Sequence, residues 1–156
     1  MNTYKIILVG DGGVGKTTFI KKILTNSFDK AYLSTLGVEV NPIILQEEKV
    51  VLNVWDCGGQ FRGLEDGYYI GAIGAILMFD KTSKISFRDV EYWKNKIKNV
   101  CDDIPIILCG NKKDCKEVVK QEEVNQTHPD MEYVEIATKN ENCRHILTRL
   151  VQKIRN

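Results

Sequence analysis

The sequence predicts an α/β fold: a six-stranded, mostly parallel sheet with one antiparallel edge strand and helices on both faces. Three observations predict it. Short apolar runs without polar alternation recur along the chain, as at Ile6-Ile7-Leu8-Val9, the pattern of strands buried on both faces. Between such runs lie stretches with apolar residues at helical spacing, such as Phe87, Val90, Trp93, Ile97 and Val100. A single proline, Pro42, sits inside a strand-like run that a short polar turn joins to the next; proline fits only at a sheet edge, so that strand is expected outermost.

In chain order, residues 4–9 read as a buried parallel strand, and residues 16–25 as a helix burying Phe19, Ile20, Ile23 and Leu24. Residues 26–36 are polar and irregular, an expected mobile loop. Residues 38–45 and 50–55 are strands joined by Gln46-Glu47-Glu48-Lys49, which predicts a hairpin. Residues 56–69 are glycine-rich and charged, a second expected mobile region with a short helix near its end. Strands follow at 75–79, 104–109 and 131–136, with helices at 86–100, 117–126 and 141–154. The last helix carries Ile146, Leu147, Leu150, Val151 and Ile154 on one face.

At 156 residues the chain is the size of one domain with room for a core. Net charge is +1, so nucleic-acid binding gets no electrostatic support. No apolar run is long enough to span a bilayer. Met1-Asn2 is not a myristoylation start, and Lys153-Ile154-Arg155-Asn156 offers no cysteine to prenylate, so no membrane anchor is expected. The five cysteines are odd in number and form no C-x-x-C pair, which favours reduced thiols over zinc or disulfides. His128 and His145 have no nucleophile or metal partner at a telling spacing.

The chemistry-bearing stretches all fall at carboxyl ends of strands, where ligands sit in parallel sheets. Gly10-Asp11-Gly12-Gly13-Val14-Gly15-Lys16-Thr17 reads G-x-x-x-x-G-K-[ST], the P-loop signature, between a strand and a helix start. Its glycines let backbone N–H groups of residues 11–18, from Asp11 to Thr18, turn inward around phosphate, at the positive end of the next helix. Lys16 would reach the β- and γ-phosphates, and the Thr17 hydroxyl would ligate Mg²⁺. Asp56-Cys57-Gly58-Gly59 has the form D-x-x-G, placing Asp56 to hold Mg²⁺ through water and the Gly59 N–H on a γ-phosphate. Gln60 follows, where it would orient a hydrolytic water. Thr35 would complete the Mg²⁺ shell.

Asn111-Lys112-Lys113-Asp114 matches N-K-x-D. The Asp114 carboxylate can accept two N–H donors from the guanine Watson–Crick edge, a donor pair that adenine lacks. Asn111 would brace neighbouring loops and the Lys112 stem would lie over the base. Ala137-Thr138-Lys139 would offer a backbone N–H to guanine O6, and Phe28 would pack edge-on against the base unless it is ordinary core.

Together the P-loop, Thr35, D-x-x-G-Q, N-K-x-D and A-T-K resemble the Ras superfamily of small GTPases over essentially the whole chain. That resemblance implies a P-loop NTPase small G-domain over residues 1–156, binding GTP or GDP with Mg²⁺. Within the superfamily the chain is similar to the Ran type, the nuclear-transport GTPases, through GDGGVGKTT at 10–18, TLGVEV at 35–40, NVWD at 53–56, DGYYI at 66–70 and IPIILCGNK at 104–112. The resemblance implies exchange factors, activating proteins and importin-β-type transport receptors as partners, a monomer, and a soluble nuclear and cytoplasmic location.

Departures from the Ran type are also present. The chain runs short between Gln60 and Leu64, and Gly58 stands where that type has alanine, a change expected to loosen the backbone beside Gln60. Residues 125–130 read NQTHPD rather than a basic patch, and the sequence ends with the last helix, short of the acidic extension of that type. No arginine lies in the nucleotide motifs, so unaided GTP hydrolysis is expected to be slow, with Lys16, Thr35 and Gln60 as its machinery. Three alternatives stand beside the transport switch: an interaction module with negligible hydrolysis, a Rab-like trafficking GTPase, and an ATP-using P-loop kinase, which Asp114 disfavours.

Overall fold

The computed structural model describes residues 1–24, 38–57 and 66–156, together with the backbone alone at 32 and 33. Its elements are β1 (Asn2–Val9), α1 (Lys16–Ile23), β2 (Tyr32–Leu33), β3 (Glu39–Leu45), β4 (Val50–Asp56), α2 (Asp66–Tyr69), β5 (Ala72–Asp80), α3 (Lys84–Arg88), α4 (Val90–Cys101), β6 (Ile106–Asn111), α5 (Gln121–Thr127), β7 (Glu132–Glu135) and α6 (Arg144–Arg155). They build one sheet in the order β2-β3-β4-β1-β5-β6-β7. β4, β1, β5, β6 and β7 run parallel, and β3 runs antiparallel to β4.

Alternation along β1 shows why its apolar run is unbroken. Ile6 and Leu8 face a core shared with α1 and α6, while Ile7 and Val9 face a core shared with α2 and α4. Both faces are covered, so neither set of positions can be polar. The first core packs Phe19, Ile20, Ile23, Ile146, Leu147, Leu150 and Val151; the second packs Tyr68, Tyr69, Trp93 and Ile97. β1 lies between β4 and β5, so connections leave it in opposite directions and its carboxyl end is the crevice where ligands bind in such sheets.

The six expected strands are present, and a seventh of two residues, β2, pairs outside β3. β3 is therefore not outermost along its whole length. The outer partner reaches only Glu39 and Val40, so Pro42 itself still meets no outer strand among the described residues. Two residues are too few for periodicity to reveal, and residues 26–36 read as irregular for that reason.

Several helix boundaries differ from expectation, and three regions show a local reason. The helix at 86–100 is two pieces, α3 and α4, parted at Asp89, and it begins earlier because the Ser83 side chain accepts from the Ser86 N–H as an N-cap. Residues 117–119 do not join α5, because the Val118 and Val119 N–H groups both donate to the Lys81 carbonyl. Glu141 does not join α6, because its carboxylate turns back onto the Ala137 N–H. Among the described residues no helix is long and apolar enough to cross a membrane.

Candidate functional site

The turn between β1 and α1 depends on two glycines. At Gly10, φ is +141° and an added Cβ would stand 2.1 Å from the Met78 carbonyl oxygen on β5. At Gly15, φ is +108° and a Cβ would stand 2.1 Å from Asn111 Nδ2. Both positions exclude a side chain on conformation and on space. Gly15 is also the N-cap of α1 and brings no side-chain cap, so the positive end of the helix faces the turn's concavity. A cavity of about 250 Å³ there is lined by Gly13, Gly15, Lys16, Thr17 and Thr18. Gly12 and Gly13 are exposed, and Val14 is buried under the turn.

Lys16 is only 3% exposed. Its ammonium donates to the carbonyl oxygens of Gly10 at 2.6 Å and Asp11 at 2.8 Å. Burial lowers its pKa, against the opposing pull of Cys57, Asp56 and Asp11. The Thr17 hydroxyl donates to Asp56 Oδ2 across 3.1 Å, joining the start of α1 to the end of β4. A hydroxyl beside a buried carboxylate is a hard-oxygen pair that suits Mg²⁺.

Asn111, at the end of β6 and 1% exposed, ties three segments together. Its Nδ2 donates to the Val14 carbonyl at 2.8 Å and to Thr138 Oγ1 at 2.9 Å. Its Oδ1 accepts from the Lys112 N–H at 2.8 Å and the Thr138 N–H at 3.0 Å. One amide thus joins the glycine turn, the N-K-x-D segment and the loop after β7. The Lys112 Nζ pairs with Asp80 Oδ2 at 2.6 Å. Burial opposes the charge of Asp80, but Lys112 and Thr82 hold its carboxyl below the ordinary range. Asp114 is exposed, and its Oδ2 accepts from Asn140 Nδ2 at 3.0 Å. In the loop after β7 the Ala137 N–H is taken by Glu141, Thr138 is buried and Lys139 is exposed.

The structure therefore brings together Asp11, Gly12, Gly13, Val14, Gly15, Lys16, Thr17, Thr18, Asp56, Asn111, Lys112, Asp114, Ala137, Thr138 and Lys139 at one rim of the sheet. Phe28, Thr35, Gly59 and Gln60, with both expected mobile regions in large part, lie outside the described residues. A larger cleft, about 480 Å³, opens at the other rim, at the amino ends of β6 and β7. It shares no residue with the motifs.

Sequence reasoning missed three supports of the site. Trp93, read only as helix core, donates its indole N–H to Asp11 Oδ1 at 2.9 Å. The Tyr68 hydroxyl lies 2.8 Å from the carbonyl oxygens of both Leu8 and Trp55, bracing the ends of β1 and β4. Asp80-Lys81 directly follows a buried apolar strand, the same placement that singled out the other motifs, and that signal was available. Cys57, Cys101, Cys109, Cys115 and Cys143 are all free thiols.

A glycine turn at the switch point, a buried lysine inside it, and a base-side loop fastened to it define a P-loop nucleotide-binding α/β fold. A family model described as Ras family matches residues 5–156. The chain belongs to the Ras family. As such it is a GTP-binding small GTPase of the switch type; this membership supports binding of GTP and GDP, typically with Mg²⁺, and regulation by exchange factors and activating proteins.

Proposed function

We propose that the chain is a Ran-like GTP-binding switch, one G domain over residues 1–156, that hydrolyses GTP slowly and serves nucleocytoplasmic transport or its manipulation. It works as a soluble monomer in nucleus and cytoplasm, with importin-β-type receptors as partners. The observation that carries the pocket is the Asn111 amide, which couples the glycine turn at Val14 to the base-side loop at Thr138 within 3.0 Å. The Ran-type reading is supported by the matches beyond the pocket, at TLGVEV, NVWD and DGYYI.

In this reading Asp11 to Thr18 surround the phosphates, and an incoming phosphate replaces the Gly10 and Asp11 carbonyls as partner of the Lys16 ammonium. Thr17 and Asp56, joined by Thr35, would hold Mg²⁺, which when bound neutralises charge on the phosphate oxygens. The Gly59 N–H meets the γ-phosphate, and Gln60 orients the attacking water. Asp114 accepts the guanine N–H donors, Lys112 and Phe28 flank the base, and the Lys139 amide is the donor for O6, since Glu141 already holds the Ala137 N–H and Asn111 holds that of Thr138. Mass identification of the nucleotide that co-purifies tests the pocket: GDP or GTP is expected, and an adenine nucleotide contradicts it. Capture of importin-β-type receptors by the triphosphate form, and not the diphosphate form, tests the Ran-type role.

The short stretch after Gln60, with Gly58 before it, favours a second reading, an interaction module with negligible hydrolysis. Single-turnover GTP hydrolysis with a Ran-type activating protein separates the two. The switch reading expects stimulated turnover that Gln60→Leu nearly abolishes while GTP binding persists.

A further inference from the structure

We infer that Lys81 is a positioning residue for base selection: its buried ammonium, bound to Glu117 and Glu135, fixes the loop that carries Asp114. The inference rests on the pocket reading above. Between the end of β6 at Asn111 and the start of α5 at Gln121 the chain has no helix or strand, and Asp114 stands exposed in that stretch. A carboxylate that must meet two donors at once needs its loop held in one place.

Both ends of the stretch are fastened to Lys81. Its N–H donates to the Asn111 carbonyl at 3.0 Å, and its own carbonyl accepts from Val118 at 2.8 Å and Val119 at 2.9 Å. Its side chain is 1% exposed, and the Nζ pairs with Glu117 Oε2 and, at 2.5 Å, with Glu135 Oε2. The Tyr133 hydroxyl donates to the same Glu135 oxygen at 2.8 Å. Glu135 ends β7, just before Ala137-Thr138-Lys139, so one cation links β5, β7 and the loop between β6 and α5. β6 passes flush over the Lys81 stem: a Cβ on Gly110 would stand 3.1 Å from Lys81 Cγ and 2.3 Å from the Tyr133 oxygen.

Stability alone does not explain a lysine here. Burial opposes its charge, though the two glutamates outweigh that and raise its pKa. A well-packed apolar residue in such a place is often as stable or more so, and what an ion triad adds is a fixed arrangement. Glu117 is held below the ordinary range by the Lys81 hydrogen bond, so the tie is charged at neutral pH.

The test compares dissociation constants for GDP, IDP and ADP. IDP lacks the 2-amino group and so removes one of the two donors to Asp114. In the wild type the GDP-over-IDP preference is expected to be roughly tenfold or more, the worth of one hydrogen bond to a charged group. In Lys81→Met that ratio should fall toward one, with the Mg²⁺ dependence of GDP release unchanged. Adding Glu117→Gln and Glu135→Gln to Lys81→Met removes the facing like charges without restoring the tie. Thermal stability should then recover while the ratio stays low. A wild-type ratio in Lys81→Met, or a ratio restored in the triple variant, overturns the inference. Should Lys81→Met not fold, Glu117→Gln cuts one arm of the tie and should lower the ratio several-fold; an unchanged ratio there overturns it equally. Loss of GDP-over-ADP preference in the wild type would sink the pocket reading and this inference together. That preference retained, with the GDP-over-IDP ratio unmoved by the variants, sinks this inference alone.

Discussion

The two halves of the nucleotide rim are built differently. On the base side, at the ends of β5, β6 and β7, polar side chains satisfy one another across segments: Asn111 with Val14, Lys112 and Thr138, Asp80 with Lys112, and Lys81 with Glu117 and Glu135. On the phosphate side, at the ends of β1 and β4, the glycine turn and the start of α1 supply the groups that line the cavity. Lys16 bonds carbonyls of its own turn, Thr17 reaches across to Asp56, and Trp93 reaches Asp11. The base side is a network of amide and charge-assisted bonds between segments; on the phosphate side a cation and a hydroxyl hold partners that, in the proposed reading, a ligand replaces. In the proposed reading, recognition of the base is thereby set in advance, whereas the phosphate side responds to what is bound.

That contrast can be broken where the halves meet, at Gly15 and Asn111. Gly15→Ala puts a methyl group 2.1 Å from Asn111 Nδ2 at a φ of +108°, so both halves should shift. Affinity for GDP is expected to fall by roughly a hundredfold or more, as measured by titration. Gly13→Ala is the comparison: its φ is +80° and a Cβ there meets nothing within 4 Å among the described residues, so it strains the turn without displacing Asn111. Chemical denaturation should show a loss of about 1–2 kcal/mol. Equal losses of GDP affinity in the two variants would refute the coupling. Asn111→Ala should rank next, since it strands the Thr138 and Lys112 N–H groups, at about 1–3 kcal/mol for a stranded buried group. Denaturation curves measure that cost.

Acid sharpens the comparison further. The folded pKa of Asp80 lies below its unfolded value, because Lys112 and Thr82 outweigh burial. Its contribution to stability is full above the unfolded value, about 3.9, and disappears as pH falls through the folded one. Asp80→Asn should flatten the acid limb of the stability curve, measured by denaturation from pH 6 downward to about 3; an unchanged limb would show that the base-side lattice gains nothing from that charge. Trp93→Phe removes the bond to Asp11 together with part of a fully buried ring, so it should cost more than the roughly 1 kcal/mol of that bond alone in denaturation.

Much of this was legible in the chain itself. The unbroken apolar run at Ile6 to Val9 required burial on both faces, and the spacing at Phe87, Val90, Trp93 and Ile97 required a helix. Asn111 and Asp114 stood out because polar residues in a known pattern directly followed a buried strand. Less legible were contacts made across the sheet. Trp93 satisfied the core pattern completely, so nothing in the spacing marked its indole N–H as a partner of Asp11. Lys81 follows a buried apolar run, but only the fold brings Glu117 and Glu135 to it. Glu141 read as helix because helical periodicity does not encode a carboxylate turning back to cap the Ala137 amide.

The central claim is that one exposed carboxylate on a prebuilt loop chooses the base while the glycine turn binds phosphate. Paired dissociation constants for GDP and ADP, measured on the wild type and on Asp114→Ala, test it most directly. The account predicts a strong preference for GDP in the wild type that collapses in the variant. An undiminished preference in Asp114→Ala would contradict it.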